Sequence, residues 1–327
     1  MTDRSAYERL LERFALSPSD VEPLLQVEHR QTIADLWTEL GPRLNDSDRP
    51  KVERWVESRS ADCNTLLEMF ENRITRRIGE LGLTLPCKCA TGIFPIYSFN
   101  AQARREGDDA LLLLDMGCIS ILEALTLVWA WNSDTLANNE VACRIVTRYV
   151  TGYEMPQAAE YDHPTLHGVR LLAFAELLSK AQEYVVAHEF AHVLLGHLAD
   201  AAHSVFPTGY GELTLATKSR EQEFAADELA LRLILPSSDT DSLALRQACV
   251  APYIVFGVAA LIEATFDALR PSERPNNDSH PPAVLRLTAA RSALAAIGLL
   301  AVSDLGEKFL VFIQDCMILM TMKLREA

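Results

Sequence analysis

Apolar residues recur at helical spacing over most of the chain and at strand spacing in one short stretch. Residues 1–85 read as helices: Leu66, Met69, Phe70, Ile74 and Ile78 fall on one face. Ser17-Pro18-Ser19-Asp20 and Asn45-Asp46-Ser47-Asp48 act as stops followed by caps. After Pro86 the pattern changes. Ile93 to Phe99 is rich in β-formers, Ala110 to Asp115 is a short apolar run, and the polar stretch Asn100 to Asp109 lies between them. This predicts a β-hairpin with a long loop. A helix is expected over Ile119 to Trp131, and irregular chain over 132–166, where Asn132, Asn138, Gly152, Pro156 and Pro164 interrupt the periodicity. One long helix follows from Val169 to about Ala199, with Leu171, Leu172, Phe174, Ala175, Leu178, Val185 and Val186 as its apolar surface. Beyond a polar, glycine-containing loop (Phe206 to Ser219), helices are expected over Arg220–Leu235, Ser242–Leu269, Pro282–Val302 and Leu305–Leu324, with a Pro/Asn-rich connection from Arg270 to Asp278. The expected class is α+β, mainly α, with a small antiparallel sheet or hairpin. The chain divides into an N-terminal helical region, 1–85, serving packing or regulation, and a larger unit, 86–327.

Composition sharpens this picture. Of 327 residues 49% are hydrophobic, enough to bury a sizeable core. The formal net charge of −15 repels a phosphate backbone, and no basic patch offsets it, so nucleic acid is not an expected partner. Met1 to Phe14 mixes acidic and basic residues with Leu10 and Leu11, an amphipathic helix start and not a secretory leader. The longest uncharged apolar stretch, Ala248 to Ile262, contains Pro252 and falls short of a membrane span, so no transmembrane segment is expected. Seven scattered cysteines suit a reducing, cytoplasmic setting. Cys87-Lys88-Cys89 has no second Cys/His pair at zinc-finger spacing and reads as structural.

The chemistry concentrates in His188-Glu189-Phe190-Ala191-His192. On a helix His188 and His192 lie one above the other, spaced to hold one zinc ion per chain. Glu189 sits at the edge of that face, placed to take a proton from water that zinc acidifies. Such a pattern arises by chance in about one or two per cent of comparable sequences, so it needs a third ligand to carry weight.

Three sources of that ligand can be compared. A metzincin-like site wants Gly at 195 and His at 198; both are Leu, and His197, if the helix continues, faces away from His188. Glu223 and Asp227 stand i, i+4 in Glu221-Gln222-Glu223-Phe224-Ala225-Ala226-Asp227. Glu223 would complete a His₂Glu site, and Asp227 would accept the free N–H of a ligand histidine, His188 above all. His163, His167 and His203 lack helical spacing to the site and read as loop or packing residues.

This arrangement resembles the gluzincins. The order of hairpin, helix to Trp131, Ala187–His197, Arg220–Ala230 and Ser279-His280-Pro281-Pro282 with Arg286 resembles the Lit family of bacterial phage-exclusion peptidases and, more loosely, the HtpX-like peptidases. The resemblance covers about residues 90–290. Ala225-Ala226 departs from the Glu-Ala usual before the Asp, without touching a ligand. The resemblance implies a zincin-like core over 86–327 and a cytoplasmic zinc endopeptidase acting on a protein or peptide substrate, in phage defence or a stress response, with room for a protein trigger or regulator. His280, in the family's His-Pro position, becomes the candidate catalytic donor that steadies the charged carbonyl oxygen; Tyr210 is a weaker one. Arg286 is expected to cap its helix rather than pair with a carboxylate. Substrate is expected to add as a strand beside Ala110–Asp115.

Two other readings compete. A regulatory peptidase of the ImmA/IrrE type would cleave a repressor, although that family has Asn where Asp227 stands. A non-catalytic zinc-binding interaction protein would use the metal to stiffen a surface, but a structural site has no need of Glu189 beside it.

Overall fold

The computed structural model describes residues 6–17, 63–131, 136–152, 169–198, 202–208, 211–237, 242–270 and 280–326. The described chain is mainly helical with a small three-stranded sheet, an α+β fold of the expected kind. The helices are α1 (Ala6–Arg13), α2 (Cys63–Glu80), α3 (Met116–Trp131), α4 (Leu136–Gly152), α5 (Val169–Leu194), α6 (Arg220–Ile234), α7 (Ser242–Leu269), α8 (Ala283–Ala296) and α9 (Asp304–Glu326). Between α2 and α3 run β1 (Cys89–Phe94), β2 (Ala101–Glu106) and β3 (Asp109–Asp115); β4 (Ala202–Thr208) and β5 (Gly211–Thr217) form a separate antiparallel pair.

The sheet corrects two expectations. Its order is β1-β3-β2, with β1 parallel and β2 antiparallel to β3. The stretch taken for a long loop therefore contains a strand, β2, joined to β3 by the two-residue turn Gly107-Asp108. Gly107 takes φ +68°, as the first central residue of a II′ turn requires. Ala-Gln-Ala-Arg-Arg-Glu carries little intrinsic strand preference, and pairing with β3 supplies the order that its side chains do not. β3 is the central strand, so Ala110–Asp115 offers no free edge to a substrate. Its unbroken Ala-Leu-Leu-Leu-Leu run is buried throughout, the composition of a strand covered on both faces.

The two edges differ. Along β1, the Tyr7 hydroxyl donates to Ile93 O (2.8 Å) and accepts from Ile93 N–H (3.2 Å), so α1 occupies that edge. A side chain at Gly92 would collide with the Tyr7 ring. β2 carries no strand on its outer side among the described residues and packs against α5, with the β4–β5 hairpin beside it.

Helix α5 is the axis of the fold, packed against α3, α6, α7, β2 and β3. Its neighbour α3 is apolar all round and almost wholly buried, as a helix surrounded by others must be. α7 is the one helix among the described residues long and apolar enough to cross a membrane, and most of it is buried inside the fold. α1 and α2 contribute Tyr7, Leu10, Phe70 and Ile74 to the same hydrophobic core. Further corrections are local: the irregular stretch contains α4, the loop before α6 contains the β4–β5 hairpin, and α8 ends at Ala296 ahead of a 3₁₀ turn, Leu300–Val302. Cys118, Cys143, Cys249 and Cys316 are buried and free, and Cys87 and Cys89 are free and half-buried.

Candidate metal centre

Local sequence sets up each half of the site. His188, Glu189 and His192 lie in the last two turns of α5, all buried. The helix closes with Gly196 at φ +73°, and His197 N–H donates to His192 O (3.0 Å). Gly196 N–H reaches Val193 O (3.1 Å), completing the Schellman pattern that a glycine at this position permits. The other half starts at Ser219, which caps α6 in a reciprocal box: its hydroxyl accepts from Gln222 N–H (3.3 Å) and its own N–H reaches Gln222 Oε1 (2.7 Å). That fixed start turns Glu223 and Asp227 together toward α5. A third contribution comes from α8, whose first N–H, at Ala283, is received by the Glu263 carboxylate of α7 at 3.1 and 3.2 Å. This carboxylate complements the positive helix end and holds the turn that carries Arg286.

His188 Nε2 and His192 Nε2 are 3.0 Å apart. Glu223 spans them, Oε2 lying 3.4 Å from His188 Nε2 and Oε1 3.4 Å from His192 Nε2. One ligand atom from each of the three residues falls within a 4.8 Å group, so the cluster can hold a metal ion. Glu223 is fully buried, yet among the described residues neither of its oxygens has a well-directed hydrogen bond. A sealed carboxylate facing two imidazole nitrogens, with His280 Nδ1 3.1 Å and Arg286 Nη2 3.4 Å from Oε2, is a donor set that a cation satisfies. Burial alone would lift the Glu223 pKa, but His188, His192 and His280 beside it hold it far below the usual carboxylate range.

The other ring nitrogens are engaged from behind. His188 Nδ1 lies 2.9 Å from Asp227 Oδ1. Arg286 grips Asp227 with two donors, Nη2 to Oδ1 at 2.6 Å and Nε to Oδ2 at 2.8 Å, and the Tyr184 hydroxyl is 3.5 Å from Oδ1. The guanidinium also lies over the Phe256 ring, 4.8 Å from its centroid. Arg286 thus pairs with a carboxylate, contrary to the expectation of a helix cap, because a buried Asp needs a partner that a single imidazole does not supply. Burial draws the His188 pKa down, but the hydrogen bond and charge of Asp227, joined by Glu223, bring it to about 9. Burial and the Lys218 charge take His192 the other way, to about 3.

Glu189 lies beside the cluster, Oε1 4.0 Å from His188 Nε2 and Oε2 3.2 Å from the Lys218 ammonium. Sequence reasoning missed Lys218, which sits between β5 and the α6 cap with no local signal of its role. Tyr184 was also missed, although it stands four residues before His188 on the same helix face. His197 does not face away: the chain turn at Gly196 folds it back until its Nδ1 is 2.9 Å from His192 Nδ1. His280, at the start of α8, places Nδ1 3.1 Å from Glu223 Oε2 and keeps 41% of its side chain exposed, so it forms part of the open side of the cluster. His203 lies on β4; Tyr210, His163 and His167 fall outside the described residues.

Residues 147–298 match the Peptidase U49 family model. The matched stretch runs from within α4 through α8 and contains His188, Glu189, His192, Glu223, Asp227, His280 and Arg286. It supports a peptidase, a hydrolase whose substrate is a protein. No curated protein and no solved structure matches the chain.

Proposed function

We propose that this chain is a zinc-dependent endopeptidase in which His188, His192 and Glu223 hold one zinc ion and Glu189 is the general base. The observation that carries the reading is the convergence of two imidazole nitrogens and the sealed Glu223 carboxylate beside a second carboxylate, Glu189, that the metal group does not include. Two His nitrogens and a Glu oxygen are a donor set that suits zinc and leaves a coordination position open, as catalysis requires and a structural site does not. Bound there, zinc supplies a Lewis acid that polarises a carbonyl and lowers the pKa of water.

The chain's own residues do the rest. Lys218 holds one oxygen of Glu189 and leaves Oε1 on the side of the ligand cluster. Glu189 takes the proton as water attacks the scissile carbon, and delivers it to the amine nitrogen as the C–N bond breaks. His280, partly exposed at the mouth, is the donor for the carbonyl oxygen as it gains charge. Asp227 fixes the ring of His188, and Arg286 fixes Asp227. Substrate adds as a strand to the outer edge of β2, which pairs with no strand among the described residues, since β1 is occupied by Tyr7 and β3 is central. Residues 86–327 form the peptidase unit, with 1–85 for packing or regulation. The Lit-like resemblance favours a cytoplasmic setting and a role in phage defence or stress, with a protein trigger.

The test measures bound zinc and proteolysis together in wild type and Glu189→Gln. Zinc retained and cleavage lost in the variant is the expected result. Zinc absent from wild type after reconstitution would sink the site. Zinc bound with no new protein N-termini in cells expressing the wild type, with and without phage challenge, would leave a non-catalytic zinc protein instead.

A further inference from the structure

His192 is fully buried, and its two ring nitrogens meet different groups. Nε2 faces His188 and Glu223; Nδ1 faces His197 Nδ1 at 2.9 Å. A ligand imidazole gives one nitrogen to the metal, and the other then carries a proton that needs an acceptor. For His188 that acceptor is Asp227. For His192 the neighbour in position is another histidine.

We infer that His197 is the positioning residue for His192, accepting its Nδ1–H and so fixing the ring with Nε2 turned to the metal. The inference rests on the zinc reading of the site. It follows from where helix α5 ends. Gly196 in the left-handed region closes the Schellman turn, and His197 N–H bonded to His192 O brings the two residues face to face. An apolar pair commonly fills that position in such a turn; here two imidazoles fill it, ring centroids 5.1 Å apart. His197 is no ligand itself, because it approaches the nitrogen of His192 remote from Glu223 and His188. An imidazole accepting at Nδ1 carries its own proton on Nε2. His197 is only half-buried, which leaves room for that outer nitrogen to reach water. The two ligand histidines are then held by different means: a carboxylate gripped by Arg286 for His188, and a neutral ring set by a helix-ending turn for His192.

The test compares wild type, His197→Leu and His197→Asn by titration of Zn²⁺ against a chromophoric chelator. Leu keeps bulk without an acceptor; Asn places Oδ1 where Nδ1 stood. Zinc affinity is expected to fall roughly 10–100-fold in the Leu variant and to be largely restored in the Asn variant. Unchanged affinity in Leu, or an equal loss in Asn, overturns the inference while leaving the zinc site standing; failure of wild type to bind zinc overturns both. A second measurement serves if the Leu variant does not fold. Long-range ¹H–¹⁵N spectra of zinc-loaded wild type should show His197 as the Nε2–H tautomer, and a proton on its Nδ1 would contradict the assignment.

Discussion

The Lys218 ammonium lies 3.2 Å from Glu189 Oε2, and the two side chains keep only 4% and 3% of their surface. Burial pushes Glu189 up, but the charge of Lys218, followed by those of His188 and His192, brings it below its ordinary value of 4.5. Removing the cation strands a buried carboxylate, so Lys218→Met should cost about 3 kcal/mol. The double variant Lys218→Met/Glu189→Gln should recover most of that loss, read by urea denaturation as a double-mutant cycle. The pH sign follows. Because the folded pKa is depressed, this pair's stabilisation is complete above the ordinary carboxylate range and lost as pH falls through the folded value. Lys218→Met removes the charge that depresses Glu189, so its acid-side loss should be smaller than that of wild type.

Arg286 and Asp227 form a two-point contact that a lysine cannot copy. Arg286→Lys should therefore behave as a damaging change, lowering zinc affinity about tenfold or more by loosening Asp227 behind His188. Asp227→Asn should lower it by a similar factor, and the two effects should not add, since both act through one ring. Chelator competition on the three proteins measures this.

Asp115 ends β3 at 2% exposure, with Ser98 hydrogen-bonded to Oδ2 and, among the described residues, no partner for Oδ1. Burial lifts its pKa to about 8 from the ordinary 3.8, with the Glu189 charge adding to the effect and the Ser98 hydrogen bond opposing it. The folded chain thus holds a proton that the unfolded chain releases, and stability falls as pH rises between those two values. Asp115→Asn should match wild type at the acid end of that window. By the upper end it should be more stable, by on the order of 1–3 kcal/mol. Denaturation midpoints across the window decide this; a constant difference would contradict the raised pKa.

Gly117 opens α3 against the backbone of the segment before β2. A Cβ there would stand 2.5 Å from the Tyr97 carbonyl carbon and 2.7 Å from Ser98 O. Neither atom can rotate away, so Gly117→Ala should destabilise by about 1–3 kcal/mol or prevent folding. Gly79, on α2 with open space around it, is the control: Gly79→Ala should stabilise by a few tenths to about 1 kcal/mol. Thermal melts of both variants test the contrast.

Some of the fold was readable because its cause is local. The interval from Ser242 to Leu269 came out as one helix, and α6 starts where Ser219 and Gln222 make their box, since periodicity and capping act within a few residues. Strand order was misread for the opposite reason. β2 lacks β-branched and aromatic residues and exists because β3 lies beside it, whereas the Leu run of β3 already carried the mark of a central strand. α4 was hidden by Asn138 and Gly152, which disfavour helix; in the fold Asn138 is buried and donates to Val128 O (3.3 Å).

The centre divides along the same line. Sequence by itself determined that His188 and His192 share a helix face with Glu189 at its edge, and that Glu223 and Asp227 share another, because 3.6 residues per turn leaves no choice once the helices form. Only the tertiary structure decided what meets those faces. Lys218 reaches Glu189 across 29 positions and Arg286 reaches the His188 ring across 98. His197 is five positions from His192, yet it too was out of reach of helical extrapolation, because one left-handed glycine turned it back. The physical reason is common to all three. Helical spacing is fixed by hydrogen bonds a few residues apart, but the partner of a buried charge or ring nitrogen is whichever group packing brings within 3 to 4 Å.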